Sequence, residues 1–164
     1  MNGAEPWFLP LTLCALLGCA LMAGVFFAFS AFVLRGLAVL PPERGIAAMQ
    51  SVNAAALTPL FLAAFVGTAL LCALSGGASA LLAAGQQRWL PVGGALLYLL
   101  GTFLVTAAGN VPLNNALASL DPARPESAAE WSRYRARWSA WNHVRTLTSL
   151  AATACFALAL GPGA

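Results

Sequence analysis

The sequence predicts an all-α membrane protein, a four-transmembrane-helix bundle with an extended fourth helix, forming a single domain over residues 1–164. The first observation is composition, because 60% of the residues are hydrophobic, only 8% are charged and the mean hydropathy is +0.80. A soluble domain carries about 25% charged residues, so lipid must replace water around much of this chain. The second observation is four apolar segments of about 20 residues, enough to cross hydrocarbon.

The four predicted spans cover residues of about 9–34, 54–74, 90–109 and 139–160. They are predicted to be helices because an isolated span must satisfy its own backbone hydrogen bonds, and no segment shows the alternation of a barrel strand. No positive charge precedes the first apolar run, so we expect that run to be retained as a span rather than removed as a signal peptide.

The connections between the spans follow from helix breakers and charge. Pro41 and Pro42 end the first span, and Pro59 should bend the second. The segment 75–89, with Gly76 and Gly77, is predicted to be a flexible turn. Residues 126–137 have acids early and arginines late, which suits the dipole of a helix that continues unbroken into the fourth span.

The placement of arginine predicts the topology. Six of the eight arginines lie in the first and third connections, so the positive-inside rule puts those connections in the cytoplasm and both termini outside. We therefore expect a multi-pass protein of the cell (inner) membrane. The lipid bilayer is then an expected partner. A net charge of +3 without a basic patch excludes a nucleic-acid partner. The four cysteines lie in apolar runs without metal-site spacing and are interpreted as packing residues.

Polar side chains inside the spans indicate where function resides. Thr102, Thr106 and Asn110 share one face of the third helix. Arg145 lies within the fourth apolar run, where an unpaired arginine costs roughly 3 kcal/mol and no acid lies in any span. It shares a stripe with aromatic and amide side chains, namely Trp131, Tyr134, Trp138, Trp141 and Asn142.

Two interpretations of this stripe remain open. It is either an aromatic belt at the membrane interface, with Arg145 extending to the headgroups, or a pocket for an acidic aromatic small molecule. Asn110, Asn53, backbone carbonyls or an anionic ligand would then have to balance the guanidinium. His143, the only histidine, lies about 160° around the helix from Arg145 and is most simply a packing or hydrogen-bonded residue. A lone histidine builds no metal site, so no metal is expected.

Two stretches carry a resemblance to a known family. The first is Asn110-x-Pro112-Leu113-Asn114, followed after a spacer by Trp131-x-x-Tyr134-x-x-x-Trp138-x-x-x-Asn142-x-x-Arg145-Thr146. The second is Phe26-Phe27-Ala28-Phe29-Ser30, followed by Pro41, Ala48-Met49-Gln50 and Asn53. Together they resemble the anthrone oxygenase-like family of four-span membrane proteins, over nearly the whole chain.

The resemblance implies oxidation of polyketide anthrones to anthraquinones without a cofactor, and an aromatic small molecule as the ligand. Arg145 and Asn142 would then stabilise an oxyanion, and His143 would be the candidate base, with Tyr134 or water as substitutes. The expected substrate-binding residues are Asn110, Asn114, Asn53, Tyr134, Trp138 and Trp141. Binding of a lipophilic molecule without chemistry, and a structural role in a membrane complex, are the alternatives. The oligomeric state stays open.

Overall fold

The computed structural model describes residues 6–82 and 88–161, and within these ranges the chain forms five helices. We number them α1 (Phe8–Ala38), α2 (Pro42–Ala55), α3 (Pro59–Leu82), α4 (Trp89–Ala118) and α5 (Ser127–Ala159). α1 contains a π-helical turn at Phe29–Val33, and α4 contains two, at Leu99–Leu104 and Thr106–Asn110. The predicted all-α fold is confirmed.

Four of the helices close into a ring, in which α1 packs against α3 and α5, and α4 packs against the same two helices. A core of small and aromatic side chains fills the ring, including Cys19, Cys72, Tyr98 and Phe156. The Thr12 and Ser75 hydroxyls form an interhelical hydrogen bond of 2.9 Å between α1 and α3. Such bonds satisfy polar groups where lipid offers no partner.

The shorter helix α2 crosses one end of this ring, where it contacts the last turn of α1, the end of α4 and the start of α5. The Gln50 amide of α2 donates to the carbonyls of Leu117 and Leu120, at 2.9 and 3.0 Å. The side chains of Ile46 and Met49, which also belong to α2, are fully buried. The first and third connections therefore lie at the same end of the bundle, which we call the α2 end.

The predicted count of four spans is not reproduced. Among the described residues, α1, α3 and α4 are long and apolar enough to cross a membrane, and α5 is not. The reason is that polar residues, most of them on the buried side, lower the mean hydropathy of the fourth predicted span, 139–160. Apart from His143, its outward side is apolar, with Val144, Leu147, Leu150 and Leu158 exposed, as a helix packed in lipid requires.

Two predicted boundaries are wrong. The second span was expected to begin near residue 54, but α2 continues to Ala55 and α3 begins at Pro59, because proline is accommodated at the first position of a helix and disfavours helix in the residue before it. The predicted turn at 75–89 is helical to Leu82, with residues 83–87 outside the described ranges. α3 continues through Gly76. A side chain at this position would meet Ala95 at 2.5 Å, so the glycine is needed for the close approach of α3 and α4 and not for a turn.

Candidate functional site

One face of α5 carries the buried polar and aromatic residues of the site. Trp131, Tyr134, Trp138, Asn142 and Arg145 are all buried. Their spacing of three or four residues places them along a single stripe of the helix. As the sequence predicts, α5 is continuous through this stripe. It therefore holds the five side chains in fixed order from the α2 end toward the bundle centre.

The Arg145 guanidinium is buried and has no acidic partner among the described residues, whose ion pairs are Arg124 with Asp121 and Arg133 with Glu130. Nη2 donates to Asn142 Oδ1 at 2.7 Å, and Nη1 donates to the Thr106 hydroxyl at 3.3 Å. Nε is buried without a hydrogen-bond partner.

Two aromatic rings complete the surroundings of this guanidinium. Its Cζ lies 4.3 Å from the centre of the Phe26 ring and 5.1 Å from the centre of the Trp138 ring. Cation–π contacts of this kind stabilise a desolvated cation without neutralising it. Arg145 therefore keeps a positive charge that neighbouring dipoles and rings offset only in part.

Asn142 fixes Arg145 to α1. Its Nδ2 donates to the Phe26 carbonyl and to the Ser30 hydroxyl, both at 2.7 Å, while its Oδ1 accepts from Arg145. Of the two partners on α1, Ser30 lies within the π-helical turn Phe29–Val33, and Phe26 lies just before it. Wide turns of this kind disturb the regular backbone bonding and are frequent at functional sites. Asn142 is thus a fully bonded amide that orients the guanidinium.

A second hydrogen-bonded chain lies nearer the α2 end. Asn114 Oδ1 accepts from the Tyr134 hydroxyl at 3.0 Å and from the Trp138 indole N–H at 2.8 Å. The Asn53 amide donates to the Tyr134 hydroxyl at 3.4 Å. Tyr134 lies before the fourth predicted span. Burial of its phenol raises the pKa of that group above its ordinary value. The phenol is therefore a neutral donor at physiological pH.

A cavity of about 380 Å³ lies between these two networks. Its polar lining consists of Arg145, Thr106, Asn53 and Asn114. The rest is apolar and largely aromatic, with Phe26, Phe29, Phe61, Phe65 and Trp138 among the lining side chains. This volume falls within the range of about 300–1,000 Å³ that is usual for small-molecule sites.

The rim of the cavity is apolar. Leu57, Leu62 and Val111 line it and are also exposed on the outside of the bundle. Leu57 and Leu62 flank the start of α3, and Val111 belongs to α4. The cavity therefore reaches the bundle surface beside these three apolar side chains.

This arrangement suits a flat apolar molecule that carries or develops a negative charge. Among the described residues that line the cavity, Arg145 is the only one with an ionisable side chain, and aromatic side chains line the same cavity. Positioned cationic and amide donors stabilise an oxyanion strongly in a site that excludes water. Within the described ranges, no group of three or more histidine, cysteine or acidic side chains could hold a metal ion.

The structure brings together most of the residues predicted from the sequence. Arg145, Asn53, Asn114 and Trp138 line the cavity. Asn142 and Tyr134 hold these lining side chains from behind through the hydrogen bonds given above.

Asn110 lies close by but outside the lining. Its Nδ2 donates to the Trp138 carbonyl at 3.3 Å, and its Oδ1 is buried without a hydrogen-bond partner. Its role in binding stays a prediction.

Two predicted residues lie apart from the cavity. His143 is exposed and lines a different depression, on the outer side of the α1–α5 contact. Trp141 is 43% exposed and packs over Gly109 of α4, where a side chain would come within 2.8 Å of the indole. Both point away because they precede and follow the buried Asn142 on the helix. Their assigned roles remain predictions that the cavity geometry does not favour.

Other lining residues were not predicted to belong to the site. Thr106 was noted only as part of a polar helix face, and Phe26 and Phe29 only as part of the stretch that carries the family resemblance. Phe61 and Phe65 of α3 were not predicted as lining residues, because an aromatic side chain in an apolar run does not by itself indicate a binding site. The position of Thr106 four residues before Asn110 was the one available clue.

Comparison with known proteins identifies the family. The family model described as anthrone oxygenase matches residues 49–155, which include α5 up to its last turn and the residues of α4 that line the cavity. No curated protein and no solved structure matches the chain. The match confirms the resemblance that the asparagine, tryptophan and arginine spacings predict. Because it covers about two thirds of the sequence, the chain belongs to the anthrone oxygenase family.

Proposed function

We propose that this protein is a membrane-embedded oxygenase that oxidises an acidic aromatic small molecule of the anthrone type. The observation that carries the proposal is the buried Arg145 guanidinium, which faces an aromatic cavity and has no acidic partner among the described residues. The family match supports the substrate class. We place the protein in the cell membrane, with the α2 end facing the cytoplasm.

The proposed reaction converts a methylene group between two aromatic rings into a carbonyl. Loss of one methylene proton gives an enolate whose charge rests on the ketone oxygen, across the central ring from the methylene carbon. The enolate passes one electron to dioxygen, and the resulting carbon radical and superoxide combine to a peroxide. The peroxide takes up a proton and then loses water to leave the quinone carbonyl. One oxygen atom of dioxygen enters the product and the other becomes water, so the substrate supplies all four electrons.

The side chains divide this work. Arg145 stabilises the enolate oxygen, and the amides of Asn53 and Asn114 lie across the cavity to orient the rings. Phe26, Phe29 and Trp138 supply flat apolar walls. We assign the methylene proton to water, because His143 lies outside the cavity and the raised pKa of Tyr134 keeps that phenol protonated.

The route of entry follows from the apolar rim. A lipophilic substrate dissolved in the bilayer reaches the cavity between α3 and α4, past Leu57, Leu62 and Val111. Its enolate oxygen then meets Arg145. This route avoids transferring the substrate through water.

The test measures dioxygen consumption by the purified protein in detergent with anthrone, after subtraction of the rate in protein-free micelles. We expect one atom of isotopically labelled dioxygen in the new carbonyl. Arg145→Gln should lower the rate above background by roughly 100-fold, as for loss of an oxyanion donor. Arg137→Gln removes the same charge from an exposed position of α5 and should leave the rate unchanged. Equal rates for Arg145→Gln and wild type would overturn the proposal.

Binding without chemistry is a second candidate function. It is favoured by one observation, that none of the described residues that line the cavity supplies a base. In that case the protein would bind anthrone under anaerobic conditions, with quenching of its tryptophan fluorescence, yet would consume no dioxygen above background. Loss of this quenching in Arg145→Gln would then identify the cavity as a carrier site.

A further inference from the structure

A polar groove lies on the outer side of the contact between α1 and α5, on the opposite side of Asn142 from the cavity. It encloses about 350 Å³. Ser30, Arg35, Ser132, Arg135, Ser139 and His143 provide its polar lining. Small residues on α5 leave room between the two helices. We call this feature the α1–α5 groove.

The groove contains positive charge without a counter-charge. None of the described residues that line it is acidic, and the ion pairs in the same part of the chain involve neither Arg35 nor Arg135. Arg135 lies over the Trp131 ring, with Cζ 5.6 Å from its centre, and its Nε is buried without a hydrogen-bond partner. Two arginines and three hydroxyls therefore converge on space that an anion would satisfy.

The position of the groove in the bundle indicates the kind of anion. Arg35 lies in the last two turns of α1, just beyond the apolar run, and exposed apolar side chains such as Phe32 lie beside it. Arg135 immediately precedes the fourth predicted span. Both arginines therefore lie at the level where hydrocarbon gives way to headgroups. The phosphate of a membrane lipid is the anion found at that level, and basic pockets between helices bind such headgroups.

We propose that the α1–α5 groove binds the phosphate of an anionic phospholipid, with Arg35 and Arg135 as its cationic donors. Arginine suits this role because its planar fork binds phosphate oxygens in pairs. The hydroxyls of Ser132 and Ser139 supply further donors along α5. The acyl chains lie against the exposed apolar side chains of α1.

The test is native mass spectrometry of the full chain in mild detergent with equal amounts of phosphatidylglycerol and phosphatidylcholine. Wild type should retain phosphatidylglycerol preferentially. In Arg35→Gln/Arg135→Gln this preference should fall by roughly 10- to 30-fold, since each arginine near an anionic membrane surface strengthens binding by about five-fold. The control Arg124→Gln/Arg133→Gln removes the same charge from exposed loop and helix positions, and it should keep the preference.

Other outcomes would overturn the proposal. Equal loss in the control would show that net charge, and not the groove, retains the lipid. Inorganic phosphate that binds wild type as tightly as the lipid, and displaces it, would identify a site for free phosphate. Circular dichroism checks that each variant is folded. If the double variant is unfolded, Arg35→Gln alone, at an exposed position, decides between these results.

Discussion

Asn142 offers the sharpest test of how the bundle holds its buried guanidinium. Asn142→Ala removes three hydrogen bonds of 2.7 Å, two to Phe26 and Ser30 of α1 and one from Arg145. Neutral interhelical bonds in membranes contribute about 0.6 kcal/mol each, and a bond to a charged group contributes about 1.5–3 kcal/mol. The expected loss in free energy of unfolding is therefore about 3 kcal/mol.

The assay is thermal unfolding in detergent, followed by circular dichroism. A loss of about 3 kcal/mol should lower Tm by roughly 6–12 °C in a chain of this size. Asn115→Ala is the matched control, because Asn115 is exposed on α4 and should shift the free energy of unfolding by less than about 0.5 kcal/mol. A decrease for Asn142→Ala no larger than that of the control would refute the reasoning, since the three bonds would then carry no net stability.

Three further predictions concern packing, the amide network and pH. Gly101→Ala should destabilise the fold by about 1–3 kcal/mol, because its Cβ would lie 2.3 Å from Thr148, whereas Gly93→Ala meets open space and should stabilise α4 slightly, both measured as Tm. Asn114→Leu should cost about 2–4 kcal/mol, because two buried donors lose their acceptor; a Tm equal to that of the same change at the exposed neighbouring asparagine would contradict this. Burial raises the pKa of Tyr134 above its unfolded value of about 10. The stability that the protonated phenol contributes to the fold is therefore fully present below about pH 10 and is lost as pH rises toward the folded pKa. Tyr134→Phe should therefore flatten the fall of Tm above pH 10, and an unchanged pH profile would count against it.

Much of the architecture could be predicted because hydropathy and helix periodicity are local properties. The unbroken helix from residue 127 to 159 follows from charge order and the absence of breakers. The start of the second span was placed near residue 54 instead of at Pro59, because a proline restricts only its neighbours and packing decides where the preceding helix stops. The sequence did not predict the helix through Gly76, because two adjacent glycines usually indicate a turn. Only the structure shows that the glycine is needed for close packing against Ala95.

The candidate site divides in the same way. The stripe of Trp138, Asn142 and Arg145 follows from the spacing on one helix. The position of His143 on the far side also follows from that spacing, although the family resemblance suggested it as a base. The walls contributed by Phe61 and Phe65 could not be predicted, because nothing in an apolar run tells which of its aromatic residues will face a cavity.

By itself, the sequence determined that this is a helical membrane protein of the anthrone oxygenase family with a charged residue buried among aromatic ones. These properties follow from composition, from one-dimensional spacing and from a recognisable motif. Only the tertiary structure decided what surrounds Arg145. The hydrogen bond from Arg145 to Thr106, and those from Asn142 to Phe26 and Ser30, join residues up to 116 positions apart in the chain. Such contacts depend on how helices pack, and packing depends on the shapes of all the side chains at once.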